Sequence, residues 1–388
     1  MKSLYYRPQT VSPRLLVALS ILAVAALATV EAFPKQTDSS EQALMVAAAR
    51  KADSAFEVVR RQRNELGLGT IRDQDPAETG LLGPSMSLVT SLPGHLDAKQ
   101  TSANPNFAAV AVNYLREAGL QPGDRVAIGC TGSFPALNIA VLAAAETMEL
   151  EISLISSAAS SQFGANHPLQ MWPDMERRLA QEGIIKTRSI AVSRGGFRDK
   201  AAGMTDETRR RLEAAITRGG RPLLNCTSIE DSVDRRMQLL QRSTGDEDRF
   251  AAYVNVGGGS ASVGGTRGNE HLGHGLIRPT DLLPTKEPID SVAMRFLDQG
   301  VPVINMIHVV AMAKKHGLPI SSSVRPEVGE GGVYVSKGYR KSFAGIGLLM
   351  ILVATSLVMR PPPWLVASLQ KLALGRNSPT ASNASWML

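Results

Sequence analysis

Residues 124–146 read DRVAIGCTGSFPALNIAVLAAAE and indicate the architecture of the whole chain. The first part, residues 125–129, predicts a short strand, and the largely apolar run at 134–145 predicts a helix. Small and hydroxyl residues connect the two. This order is typical of a βα turn, which in a parallel sheet places its connecting loop at the carboxyl edge, where ligands bind.

The alternation of strand and helix continues to residue 316. Strands are predicted over residues 125–129, 151–156, 188–193, 222–225, 251–256 and 301–305. Helices are predicted over residues 106–117, 134–145, 174–182, 205–218, 228–242, 290–299 and 306–316. Because helices separate the strands, the pattern predicts right-handed βαβ crossovers and a mostly parallel sheet. The predicted fold class is α/β, a doubly wound domain with helices on both faces.

Two segments precede this alternation. Residues 40–66 have a helical period with Ser39 as N-cap and Gln42 three residues later, so they predict one long helix. Residues 69–105 have no such period and are rich in glycine, proline and hydroxyl residues. Because loops of this length in a compact domain are functional or disordered, we interpret this one as an ordered covering loop.

The positive charge of the chain lies at its ends. The sequence has 42 basic and 35 acidic residues, a formal net charge of +7. Six of the basic residues lie in the terminal tails, which hold no acidic residue, so the middle of the chain is nearly neutral. The composition therefore predicts no nucleic-acid partner.

Two uncharged apolar runs lie beside these tails. We predict transmembrane helices over residues 15–33 and 343–359, although each uncharged run is slightly short of the roughly 20 residues that span a bilayer. Basic residues before the first run place the tails, 1–14 and 360–388, in the cytoplasm and the domain, 34–342, outside. The alternatives are a cleaved signal peptide for the first run and a buried core helix for the second.

Three strand ends are predicted to meet at the carboxyl edge of the sheet. The ligand-binding candidates of the first are Gly129, Cys130, Thr131, Gly132 and Ser133. Their backbone N–H groups and hydroxyls lie at a predicted helix N-terminus and suit a small anion, with ordinary N-capping as the alternative. The segment has neither the lysine of a phosphate-binding loop nor a complete Gly-x-Gly-x-x-Gly pattern, so no nucleotide cofactor is predicted.

The second strand end is rich in glycine. Its ligand-binding candidates are Asn255, Gly257, Gly258, Gly259 and Ser260. Such glycines serve close approach or positive φ, and a flexible surface loop is the alternative. Glu270, His271 and His274 follow, but no helical period places them on one face, so no metal site is predicted.

The third strand end is Asn305-Met-Ile-His308, where Asn305 is a ligand-binding candidate and His308 is predicted in the first turn of the next helix. Ser133 or Ser260 with His308 and a carboxylate such as Asp231 would make a hydrolytic triad. The Gly-x-Ser-x-Gly pattern is absent around both serines. Ser133, Ser260 and His308 are the catalytic candidates. Because the pattern is absent, we expect this edge to bind a ligand rather than to catalyse a reaction.

Cysteine and arginine usage adds two expectations. The only cysteines, Cys130 and Cys226, each end a predicted strand, and we predict unpaired, partly buried thiols rather than a disulfide. Ten arginines between residues 188 and 236 could bind a carboxylate polymer. Because acidic residues lie among them, we interpret them as a mixed, solvated helical face.

Three segments and the two apolar runs resemble a known family. The segments are residues 90–106 (TSLPGHLDAKQTSANPN), 126–138 (VAIGCTGSFPALN) and 254–260 (VNVGGGS). Together they resemble the bacterial poly-γ-glutamate system proteins over nearly the whole chain. The resemblance implies a bacterial inner-membrane protein that works with the poly-γ-glutamate synthesis or export machinery, and it implies no catalytic residues.

The expected function is therefore that of a membrane-anchored accessory component whose outward domain binds the anionic polymer, a glutamyl precursor or a partner protein. The alternative is an extracytoplasmic hydrolase or transferase that acts on γ-glutamyl or amide bonds at the same sheet edge. In both cases no cofactor is predicted.

Overall fold

The computed structural model describes residues 13–33, 35–38, 40–244, 249–282 and 289–359 of the 388-residue chain. The chain forms two compact units. One combines Met1–Thr37 with Ser336–Leu388, and the other is Asp38–Val335. Each unit is described by itself below.

The described helices are α1 (Pro13–Ala32), α2 (Gln42–Glu65), α3 (Leu96–Ser102), α4 (Phe107–Glu117), α5 (Pro135–Thr147), α6 (Trp172–Gln181), α7 (Asp206–Gly219), α8 (Ile229–Thr244), α9 (Ser260–Val263), α10 (Gly265–Leu272), α11 (Val292–Asp298), α12 (Val309–His316) and α13 (Lys341–Met359). The described strands are β1 (Lys35–Asp38), β2 (Arg125–Thr131), β3 (Glu151–Ser157), β4 (Asn166–His167), β5 (Gln170–Met171), β6 (Ala191–Ser193), β7 (Leu223–Leu224), β8 (Ala252–Val256), β9 (Gly275–Ile277), β10 (Val303–Met306) and β11 (Val335–Gly338).

A seven-stranded sheet forms the centre of the larger unit. Its strand order is β7-β6-β3-β2-β8-β10-β9, and every neighbouring pair is parallel except β10 with β9. The predicted α/β class with a mostly parallel sheet is therefore confirmed. Successive strands extend the sheet from β2 to β7 on one side and from β8 to β10 on the other. The carboxyl ends of β2 and β8 consequently lie side by side.

Apolar side chains leave β2 towards two different cores. Val126, Ile128 and Cys130 belong to a core that includes residues of α2, α4 and α5, while Ala127 belongs to a second core with residues of α8, α9 and α11. Helix α5 is enclosed on all sides, since its residues from Pro135 to Ala145 are all buried. These two cores hold the strand ends in fixed positions.

The covering segment is partly helical. Residues 69–95 contain neither helix nor strand of more than one residue, but α3 forms at Leu96–Ser102, where the sequence predicted only loop. Leu81, Leu82 and Val89 are buried, so the segment packs against the domain rather than leaving it. Ser39, the predicted N-cap of the long helix, lies outside the described residues, and Glu41 occupies that position before α2.

Three further boundaries correct the sequence predictions. Helix α12 begins at Val309 instead of 306, because Met306 continues strand β10. Two helices, α9 and α10, form in the glycine-rich region, where no helical period was found. The edge strand β9 was also missed, since its three residues are too few for a pattern.

The smaller unit contains the two apolar helices. Both α1 and α13 are long and apolar enough to cross a membrane, and of their residues only Gly347 is buried. The helices contact each other: a Cβ at Gly347 would lie 3.1 Å from Ala26 Cβ, and the rings of Phe33 and Phe343 meet edge to face with centroids 6.0 Å apart. Small residues at such contacts allow close helix packing.

Candidate functional site

Lys99 of α3 is the most unusual side chain at the carboxyl edge of the sheet. It is only 2% exposed. Its Nζ donates to the backbone carbonyl of Ser133, at the end of β2, and to Ser161 Oγ at 2.9 Å, in the loop after β3. The same Nζ lies 3.7 Å from the centre of the Phe134 ring. Lys99 therefore joins two strand-end loops that are far apart in sequence.

Burial changes the acid–base behaviour of this amine. It lowers the pKa of Lys99 to about 7 from the ordinary 10.5, because a buried ammonium loses its hydration. None of the carboxylates in the described part of the chain forms an ion pair with it. A large share of the Lys99 side chains is therefore neutral at pH 7, with a free lone pair.

The covering segment that carries Lys99 is fixed to the loop after β3 by hydrogen bonds. Ser91 N donates to Ser160 O at 2.8 Å, Gln162 N donates to Leu92 O at 3.0 Å, and Gly94 N donates to Gln162 Oε1 at 3.1 Å. Paired backbone groups of this kind restrict both segments. The position of Lys99 relative to the β3 loop is thus set by the backbone as well as by its own contacts.

Ser161 is more accessible than its hydrogen-bond partner Lys99. It is half-buried, and its backbone N donates to Ser133 Oγ at 3.1 Å. The hydroxyl of the preceding Ser160 donates to Ser161 O at 2.8 Å. Phe163 adopts a left-handed backbone with φ 61°, so the loop turns sharply just after the serine. Among the described residues, Lys99 Nζ is the hydrogen-bond partner of the Ser161 hydroxyl.

A cleft of about 580 Å³ opens in front of this pair. It lies within the volume range of small-molecule sites. Phe134, Ile307 and Val309 form its apolar wall, and its charged or titratable lining residues are His95, Asp97, Lys99, His308 and Lys314. Apart from the largely neutral Lys99, Lys314 and the two imidazoles line the cleft beside the single carboxylate of Asp97, which suits an anionic ligand with an apolar portion.

His308 lines the same cleft from the end of β10. It is the residue before α12 and has a left-handed backbone with φ 55°, which is uncommon for a residue with a side chain. Met306, two residues before His308, and Val309, directly after it, are buried and hold both sides of this turn. The His308 ring meets that of His274 edge to face, with centroids 5.8 Å apart. Strained residues of this kind cluster at functional sites.

The predicted β2 and β8 loops do meet, but they contact each other. Gly257 has φ 92°, and a Cβ there would overlap Thr131 Oγ1. Thr131 Oγ1 in turn accepts from Ser133 N at 3.3 Å. Gly129 is similarly close to the hydroxyl of Tyr253. Gly257 therefore permits close approach of the loop after β8 to the end of β2, and Gly129 permits close approach of the two strands themselves. Gly257, Gly258, Gly259 and Ser260 are not among the residues that line the cleft.

The two predicted asparagines connect the ends of β8 and β10. Asn255 Nδ2 donates to Asn305 Oδ1 and to Gly257 O, both at 2.7 Å, and Asn305 Nδ2 donates to Gly273 O at 2.7 Å. Both side chains are fully buried. Asn255 Oδ1 has no hydrogen-bond partner among the described residues. Their visible role is to hold the strand ends together beneath the edge.

The catalytic candidates occupy different environments. Ser133 touches Ser161 and Lys99, whereas Ser260 begins α9. Asp231 accepts from Thr227 and Arg235 at the far end of the sheet. Within the described ranges no hydrogen bond joins either serine to His308, so the drawn triad is not assembled. Capping of α5 by Thr131 or Ser133 is also not observed, since the N-cap is Phe134.

The remaining predictions concern thiols and arginines. Cys130 and Cys226 are unpaired, as predicted, and both are buried. Burial raises the pKa of the Cys130 thiol well above its ordinary value. Arg194, Arg209, Arg211 and Arg235 pair with acids near the surface, whereas Arg188 and Arg218 pair with the buried acids Glu176 and Asp174. Arg236 also corrects the prediction of a solvated face, because it is 3% exposed. It forms a buried ion pair with Asp199 at 2.8 Å.

Lys99 and Ser161 were missed by the sequence reasoning. We looked for ligand-binding residues at the carboxyl ends of three predicted strands. The strand 151–156 was not among them, although the serine-rich run Ser156 to Ser161 begins at its end. That run was the available signal for Ser161. Comparison with protein-family models, curated protein sequences and solved structures found no match for this chain.

Proposed function

We propose that the chain is a membrane-anchored accessory component of poly-γ-glutamate synthesis or export, and that its α/β domain binds a glutamyl chain. One observation carries the proposal: a cleft of about 580 Å³ at the carboxyl edge of the sheet combines an apolar wall with basic side chains. A glutamyl residue offers a carboxylate on a short methylene chain, which matches this combination. The sequence resemblance points to the same class of ligand.

Lys314 is the residue that supplies charge at the cleft mouth. It is exposed, lies in the last turn of α12, and forms no ion pair among the described side chains. Its ammonium is therefore available to a ligand carboxylate. Lys315, the next residue, does not line the cleft and lies over the Tyr114 ring, 5.2 Å from its centre. The two lysines thus have equal charge and different surroundings.

We expect Lys314→Ala to weaken binding of γ-linked glutamate oligomers by roughly tenfold, the effect of losing about 1.4 kcal/mol from a charge-assisted contact. Binding is measured by calorimetry on the full chain in detergent micelles, at two salt concentrations. Lys315→Ala is the matched control and should leave the affinity within about twofold. Equal losses in both variants would indicate a general charge effect and contradict a site at this cleft.

The membrane placement is part of the same proposal. The helices α1 and α13 span the inner membrane, both tails are cytoplasmic, and the domain between them is extracytoplasmic. Support comes from the length and apolarity of the two helices and from Lys2, Arg7 and Arg14 before the first. The domain is doubly wound, which the strand order on either side of β2 and β8 supports.

This topology predicts that a reporter fused after Leu388 reports the cytoplasm and that one inserted between Gly67 and Leu68 reports the exterior. The insertion point follows α2, where Gly67 has open space around it. Alkaline phosphatase and green fluorescent protein fusions measure the two locations with opposite sensitivity. A cleaved signal peptide would instead give a mature N-terminus near residue 32. The C-terminal reporter would then still report the cytoplasm, unless α13 also failed to span the membrane.

A further inference from the structure

The contact between Lys99 and Ser161 has the arrangement of a base behind a nucleophile. Lys99 is only 2% exposed, whereas Ser161 is half-buried and lines the cleft. The Nζ to Oγ distance is 2.9 Å, which is hydrogen-bond length. Both residues line the cleft, but the hydroxyl is more accessible than the amine to a molecule bound there.

The surroundings of Nζ orient its lone pair. A neutral amine carries two hydrogens and one lone pair, and the Ser133 carbonyl can only accept a hydrogen bond. One N–H is thus directed to that carbonyl, and the Phe134 ring covers another side at 3.7 Å. The Ser161 hydroxyl can both donate and accept, so once Lys99 is neutral the hydroxyl can donate its proton to the lone pair. This is the orientation that a general base requires.

The geometry points to Ser161 as a nucleophile and Lys99 as its general base in acyl transfer from an amide or ester. Lys99 is then a positioned base in direct contact with the reacting oxygen. Burial lowers the pKa of Lys99 to about 7, so the amine can accept a proton near neutral pH. Nucleophiles of this kind are activated by an adjacent base.

The proposed reaction balances with water as the second substrate. Ser161 Oγ forms a bond to the acyl carbon while its proton moves to Lys99 Nζ. The bond from carbon to the leaving nitrogen breaks, and the ammonium of Lys99 returns that proton to the leaving amine. Water then attacks the carbonyl carbon of the acyl-serine, and Lys99 takes a proton from the water. The bond between Ser161 Oγ and the acyl carbon breaks, and Lys99 passes that proton to Ser161 Oγ. The net change is amide plus water to carboxylic acid plus amine.

The substrate class follows from the cleft and rests on the proposed function. Lys314 is placed to hold a carboxylate, and Phe134 and Val309 offer apolar surface for a short methylene chain. A γ-glutamyl amide carries its carboxylate next to such a chain. We therefore assign γ-glutamyl amides as the acyl donors, while the nucleophile itself is testable with a serine-reactive reagent that carries no glutamyl group.

The first test separates the nucleophile from the substrate. The full chain in detergent micelles is treated with a fluorophosphonate probe at pH 8, and the labelled residue is identified by peptide mass spectrometry. Labelling should occur at Ser161 and should disappear in Ser161→Ala. Ser260→Ala is the control, because Ser260 is also half-buried at a strand end but lies outside the cleft. That variant should label at the wild-type rate.

The second test examines the base. Lys99→Arg keeps the charge but offers no neutral nitrogen near pH 7, and it should reduce the labelling rate at least about 100-fold. The wild-type rate should rise with pH through about 7. The other titratable groups that line the cleft are His95, Asp97, His308 and Lys314. The rise should persist in His308→Gln and His95→Gln, which separates Lys99 from the imidazoles.

Hydrolysis of γ-glutamyl-4-nitroanilide tests the substrate class separately. Labelling of Ser161 without hydrolysis would overturn the γ-glutamyl assignment and leave the nucleophile standing. Failure of the oligomer binding experiment with intact Ser161 labelling would overturn only the proposed function. No labelling in a wild-type chain that unfolds cooperatively, or labelling that Ser161→Ala does not abolish, would overturn the assignment of Ser161 and Lys99.

Discussion

Replacing Lys99 with methionine should stabilise the folded chain at pH 6 and lose most of this advantage by pH 10.5. The folded pKa of Lys99 is about 7 against 10.5 for the ordinary amine. Between these values the unfolded state holds a proton that the folded state has released, so raising the pH stabilises folded wild type. Below pH 7 the penalty for burying the ammonium is present in full. Methionine has no such dependence.

The size of this effect follows from the shift. One pKa unit corresponds to about 1.36 kcal/mol, so the stability difference between the two proteins should change by on the order of 5 kcal/mol across this pH range. The measurement is denaturant unfolding of the full chain in micelles at several pH values, followed by fluorescence. Lys315→Met, at an exposed position, is the control. Parallel pH curves for wild type and Lys99→Met would show that folded Lys99 stays charged.

Asp199→Asn should destabilise the domain by about 3–5 kcal/mol, the range for removing one partner of a buried ion pair. The Asp199 carboxylate accepts from Ser193 Oγ at 2.7 Å, from Ser232 Oγ at 2.5 Å and from Arg236 Nη2 at 2.8 Å. The side chains of Asp199 and Arg236 are 6% and 4% exposed. Neutralising the acid leaves the guanidinium buried without its counter-charge.

The choice of asparagine isolates the charge. Asp199 has a left-handed backbone with φ 59°, which asparagine tolerates better than most residues. Asp206→Asn is the control, because Asp206 pairs with Arg209 within the exposed first turns of α7, where water screens the pair and its loss should cost far less. Both values come from urea unfolding at pH 7. Equal costs for the two variants would contradict a dominant role for the buried pair.

The sequence predicted the parts of the fold that depend on local pattern. The βα turn at 125–145, the alternation and the long helix α2 each follow from periodicity within one segment. Strand order does not, because it depends on which apolar faces meet. The short elements α9, α10 and β9 were missed since three to eight residues give too little pattern, and two of the eight residues of α10 are glycines.

The site was predictable only where it coincides with strand ends. That rule placed Ser133 and His308 at the correct edge. The glycines at 257–259 were interpreted as a ligand wall, but close approach to Thr131 explains Gly257 and Gly259 without a ligand. Lys99 could not be predicted, because it reaches Ser133 and Ser161 across 34 and 62 residues from a segment without period.

The docking of α3 onto two distant loops makes the basicity of Lys99 a property of the tertiary structure. In an extended chain this lysine is an ordinary solvated ammonium, and Ser161, 62 residues away, does not lie near it. Any local opening that releases the covering segment would return it to that state. A nascent or translocating chain would therefore carry a dormant serine, and reactivity would begin only when the last long-range contacts close.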